Sequence, residues 1–236
     1  PVQGEASRTI RLEVKQMEYS IAPSALAYLF GDLLEDVFAG RASRFTPNEK
    51  LPCREVKVKI KDLANVMLVA AFVHLAEEGY LKLTLGTKGR ILKSKAVFAA
   101  LSPERPSQGL HGLEAQIANS VTGKQKKDDV GSIVRRLWDA DSSDPWRDII
   151  GRAQRYLLSQ GYFAEEKRRG VARLLGKKLV PQCERIITLE GEARQLREMM
   201  AAFQAAQPEL YKRLWKGVAD GIRSRQERPD VDIDYD

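Results

Sequence analysis

Histidine, cysteine and long apolar runs are what this chain has least of, and each scarcity closes off a class of chemistry. Only two histidines, His74 and His111, occur in 236 residues, too few to build a histidine metal cage. Cys53 and Cys183 stand far apart with no CxxC spacing. Neither a disulfide framework nor a thiolate metal site is expected, and both are read as buried or idle thiols. The longest apolar stretch, "VMLVAAFV" at 66–73, stops at His74, Glu77 and Glu78, well short of the ~18 residues that span a bilayer. With no initiator Met and no basic-then-apolar leader, Pro1 reads as a processing end and the expected compartment is the cytoplasm. HExxH, GxSxG, a P-loop and GxGxxG are all missing. The acidic pairs Glu77–Glu78 and Asp128–Asp129 are neighbours in sequence, which on a helix turns them to different faces. They are expected on solvated surface, and the chain is expected to be no enzyme, with neither metal nor cofactor.

What is present is enough apolar content, 43%, to bury a substantial core, and an uneven positive charge. Lysine and arginine number 39 against 32 acids, for a net charge of +7. Residues 121–180 alone hold 14 basic against 8 acidic side chains, whereas the final "DVDIDYD" is purely acidic. A local excess of this kind sets the field that a phosphate or lipid head group feels.

Along the chain, "RTIRLEVKQMEY" alternates as a half-buried strand, and Leu26, Leu29, Phe30, Leu33, Leu34 and Val37 predict an amphipathic helix over 24–38 that tolerates Gly31. "REVKVKIK" predicts a strand with a lysine face. Asp62 predicts the cap of a mostly buried helix over 63–78 that Gly79 ends, followed by a hairpin with a "GTKG" turn. "SPERPSQGLHG" at 102–112 reads as a linker. Helices are then predicted at "LEAQIANSV", "VGSIVRRLW" and from Trp146 to Gln160, the last closed by Gly161 and followed by a hairpin through "KRRG". "LAEEGYLKL" at 75–83 and "LLSQGYFAEE" at 157–166 thus carry one message twice, at an offset of 82 residues. Each glycine lets the chain leave a helix through a left-handed turn, and the aromatic after it folds a hairpin back. Chance likeness of helix ends is the alternative. After Pro181, "TLEGEARQLREMMAAFQ" and "PELYKRLWKGVADGIRSRQ" predict a helical pair.

The expected class is therefore mainly α with small β-hairpins (α+β), as tandem winged-helix-like units. Residues 1–101 form the first unit, 102–112 a linker, 113–180 the second unit, 181–228 the C-terminal helices and 229–236 an acidic tail. Positive charge on the hairpins, Lys88, Arg90, Lys93 and Lys95 in the first and Lys167, Arg168, Arg169, Arg173, Lys177 and Lys178 in the second, can reach phosphates without desolvating the core.

The stretches "LAYLFGDLLEDV", "LANVMLVAAFVHLAEEGYLKL", "KSKAV", "GLEAQI" and "PWRDIIGRAQRYLLSQGYFAEEK", over residues 25–180, resemble the Golgi phosphoprotein 3 family. The resemblance implies a helical peripheral protein that binds phosphoinositide head groups and retains cargo. That family's pocket uses a tryptophan in an early loop and arginines on two helices. Here the loop has Phe45, the first arginine falls near Ala64, and Arg147 alone matches the later pair, with Arg152 and Arg155 nearby. The expected anion contacts are thus Arg147, Arg152, Arg155, Lys167, Arg168, Arg169, Arg173, Lys88 and Arg90. Three roles stay open: an adaptor on anionic membrane, a winged-helix binder of nucleic acid phosphates, or an assembly protein that meets a partner or its own copy through the C-terminal helices.

Overall fold

The computed structural model describes residues 19–37, 47–89, 94–105, 109–124, 128–138, 142–167 and 177–226. The strand expected near residue 10, Phe45 and the acidic tail lie outside them. Pro23 opens α1 (Pro23–Leu29), where its missing N–H costs nothing. All seven of its residues are buried, so this is a core helix and not the amphipathic one the periodicity predicts. It also stops early. After Phe30 the chain tightens into a 3-10 helix (Gly31–Val37). A side chain at Gly31 would meet Leu63 Cδ1 at 2.7 Å, so the glycine answers to close packing.

β1 (Asn48–Lys50) and β2 (Lys57–Lys59) pair antiparallel, and the lysine-faced strand is shorter than its alternation suggests because Ile60 already turns into α2 (Ile60–Glu77). The cap position falls on Lys59, without a side-chain bond, and Asp62 lies in the first turn instead. α2 is the central rod. Leu63, Ala64 and the whole run Val66–Val73 are buried, and it packs against α1, α3, α5, α7 and α8 once these are placed.

Gly79, at φ 75°, ends that rod, and β3 (Leu81–Lys88) pairs with β4 (Ser94–Leu101). Then follow α3 (Gly112–Asn119), α4 (Val130–Arg136) and α5 (Pro145–Ser159). Gly161, also at φ 75°, ends α5, and β5 (Phe163–Lys167) pairs with β6 (Lys177–Pro181). The duplicated sequence is a duplicated geometry. Ser102 N–H donates to the Tyr80 carbonyl at 2.9 Å, and Gln182 N–H to the Tyr162 carbonyl at 2.9 Å. An arginine beyond each hairpin returns over the tyrosine: Arg105 lies 4.4 Å from the Tyr80 ring centre and Arg185 4.8 Å from that of Tyr162. Only glycine takes such a φ without strain.

α6 (Cys183–Ile187), α7 (Glu190–Ala206) and α8 (Pro208–Arg223) complete the chain. The expected stripe of α8, Leu210, Leu214, Trp215 and Val218, is buried. The idle-thiol expectation is overturned: Cys53, in the turn between β1 and β2, is disulfide-bonded to Cys183 across 130 residues. Sequence distance concealed it, since folding alone brings the two positions together.

Candidate functional site

Asp128 and Asp129 are not the solvated pair that adjacency suggests. Both are buried. Asp128 accepts from Thr122 and, at 2.6 Å, from Arg136. Asp129 caps α4 through Ser132 and takes Lys88 at 2.8 Å. Burial pushes the Asp129 carboxyl up, but hydrogen bonds from Lys88 and Ser132 outweigh it and hold the group below its ordinary range. The Asp128 carbonyl also takes the Ala99 N–H at 2.9 Å, so the start of α4 is stitched to β4.

α8 meets α4 through small residues. A side chain on Gly221 would stand 2.7 Å from the Gly131 carbonyl and 2.8 Å from Val134 Cβ. This close crossing, beside the first hairpin, frames a groove of about 180 Å³. Lys88 and Lys95 reach it from the hairpin, Arg135 from α4, and Arg213 and Lys216 from α8, against the two acids Asp129 and Asp220. Lys88 is held by Asp129, and Arg213 bonds Glu209 at 2.8 Å. Lys95 and Lys216 have no acid within ion-pair distance among the described residues. The field registers on half-exposed Glu209: its carboxyl is held low by the Arg213 hydrogen bond and then by the charges of Arg213, Lys95 and Lys212. Gly221→Ala should cost about 1–3 kcal/mol by overpacking, read from urea unfolding. An unchanged midpoint would show that the helices separate freely.

Of the nine residues expected as anion contacts, five lie among the described residues, and of these Lys88 joins the groove. Arg147 is exposed in the first turn of α5 but pairs with Asp144 at 3.2 Å, and its charge also acts on Glu49; its neighbours are carboxylates. Arg152 donates to Gln116 and, at 3.0 Å, to the Leu137 carbonyl, with its guanidinium 5.5 Å from the Trp138 ring centre. It braces α5 to α3 and α4. Arg155 is exposed farther along α5, and Ala64 is fully buried. Lys167 ends β5 opposite Lys177, while Arg90, Arg168, Arg169 and Arg173 lie outside the described residues.

Arg135, Arg213 and Lys216 were missed because they come from elements remote in sequence. Their one local signal is the spacing of α8, where Arg213 and Lys216 lie three residues apart on one face and Gly217 and Gly221 mark a close helix contact. Compared with family models, with curated proteins and with solved structures, the chain finds no match.

Proposed function

We propose that this chain is a non-catalytic binding module that docks on anionic membrane, seating a phosphate-bearing head group in the groove among Lys95, Arg135, Arg213 and Lys216. The observation that carries this is the meeting of cations from a hairpin and two helices in one concavity, two of them without an acidic partner among the described residues. Leu85, the cross-strand partner of the groove-lining Val97, is 46% exposed beside it, an apolar edge suited to the lipid boundary. The two helix-plus-hairpin units are the tandem winged-helix-like scaffold of the module, in keeping with the resemblance to the Golgi phosphoprotein 3 family. The groove replaces that family's pocket.

Duplex DNA is the weaker alternative, because most of α2 is buried within the fold and is not offered to a major groove. Assembly through α7 and α8 is weaker too, since Leu196, Met200, Leu214 and Val218 are already buried within this chain. The Cys53–Cys183 bond favours a membrane face in an oxidising compartment over the cytoplasm expected from the sequence, because cytosolic thiols are kept reduced.

Co-sedimentation tests this. The protein should pellet with phosphatidylserine-containing vesicles at low salt, release as salt rises, and ignore pure phosphatidylcholine. Each lysine near such a surface is worth about 1 kcal/mol, so removing Lys95 and Lys216 together should weaken binding roughly thirtyfold. Arg147→Ala should leave it intact. Equal pelleting with both vesicle types refutes the proposal, and salt-sensitive DNA binding without vesicle binding moves the function to nucleic acid.

A further inference from the structure

Both histidines line a second cavity, of about 410 Å³. Glu114, from α3, is its innermost acid. The side chain is 1% exposed, and its carboxyl accepts the Ser24 N–H at 2.8 Å and the Ser24 hydroxyl at 2.7 Å. α1 has no cap of its own, so Glu114 caps it from ninety residues away. No cation pairs with Glu114 among the described residues, and burial pushes it up to about 7.

The walls are aromatic. Tyr19, Tyr80 and Tyr156 line the cavity with His74, whose ring meets Tyr19 edge-on at 5.5 Å between centres. Burial first, and the charge of Arg105 second, lower His74 to about 4. It is therefore a neutral imidazole near neutrality, with one N–H and one bare nitrogen. Its buried Nδ1 meets no hydrogen-bond partner among the described residues. Arg105 is compensated: it pairs with Glu78 at 3.0 Å, donates to the Glu78 carbonyl and lies over Tyr80. The surroundings lean negative. Tyr19 is raised by burial and then by Glu78 and Glu192, and Tyr156 is raised by burial and in part by Glu114. Glu192 accepts from the hydroxyl of Ser20, a lining residue, at 2.6 Å. His111 is the remaining titratable group facing the cavity.

We propose that this cavity binds a small organic cation, an amine with an aromatic or short aliphatic body, whose ammonium sits against Glu114 and His74 and whose body lies among the three tyrosines. The ligand brings the counter-ion that Glu114 lacks, and the tyrosine rings among the lining residues favour a cation over a neutral guest. A volume of about 410 Å³ falls in the range of small-molecule sites. A carboxylate ligand would face Glu78 and Glu114 with only an already paired arginine to receive it.

Phenethylamine, 2-phenylethanol and phenylacetate share one body and differ in charge, so titration calorimetry with the three separates these cases. The amine should bind, and the alcohol and the acid at least tenfold more weakly. Because Glu114 must ionise to pair with the ammonium, affinity for the amine should rise about tenfold between pH 6 and pH 8. Glu114→Gln should weaken binding and remove that dependence. Arg105→Gln, which leaves the α1 cap untouched, should tighten amine binding about tenfold by uncovering Glu78. Preference for phenylacetate, weaker amine binding by Arg105→Gln, or no binding of the amine at pH 8 overturns the proposal.

Discussion

Reducing the Cys53–Cys183 bond, or replacing both cysteines with serine, should lower the unfolding free energy by about 2–5 kcal/mol. The bond closes a loop of 130 residues, and the entropy removed from an unfolded chain grows with the logarithm of loop length, reaching about 5 kcal/mol at this size. One term works the other way. Cys53 holds φ 59°, a left-handed conformation that costs a residue with a side chain roughly 1–2 kcal/mol and can relax once the bond is cut. Around it, Arg54 pairs with Asp32 at 2.7 Å, reaches Glu190 at 3.8 Å and lies over Phe30. The first effect of reduction should therefore be faster amide exchange in β1 and β2. Urea unfolding with and without reductant measures the total. A difference below about 0.5 kcal/mol would mean that the unfolded chain is already compact enough to make the link redundant.

Glu114 and His74 should drive stability in opposite directions as pH changes. Glu114 moves from its ordinary 4.5 to about 7 on folding, so between these values the folded state holds a proton the unfolded chain has released. Its contribution is complete below pH 4.5 and is lost as pH rises through 7. His74 moves from 6.5 to about 4; there the unfolded chain holds the extra proton, and the contribution is complete above 6.5 and lost as pH falls through 4. Each shift corresponds to about 3 kcal/mol. Glu114→Gln should accordingly gain stability relative to the parent as pH goes from 4.5 to 7, whereas His74→Gln should gain it as pH goes from 6.5 to 4. Melting curves of the three proteins at half-unit steps read the differences directly, so other titrating groups cancel. Parallel profiles for parent and variants would show that neither group is as dry as its surroundings imply.

What local rules govern was legible in the sequence. Gly79 and Gly161 ended their helices where expected because the demand for a left-handed turn is met by the glycine itself, and the α7 and α8 boundaries followed from Pro208 and an apolar period. Four features were out of reach because each joins remote residues: the disulfide, the burial of Asp128 and Asp129 against Thr122, Arg136 and Lys88, the all-round burial of α1, and the return of Arg105 and Arg185 to their tyrosines. The candidate site divides in the same way. Lys88 and Lys95 stood out on a hairpin, but Arg152, equally basic on paper, turned inward because α3 and the end of α4 supply carbonyl acceptors for it. Charge in a sequence says where a cation starts; its neighbours in space decide whether it stays available.

The capping of Ser24 by Glu114 bears on how the protein is born. A ribosome adding about 5–20 residues per second delivers position 114 several seconds after position 24. Throughout that interval the nascent α1 has apolar side chains on every side and no acceptor at its leading end. A helix made before its cap is thus late to settle, and chaperone contact during synthesis should concentrate there.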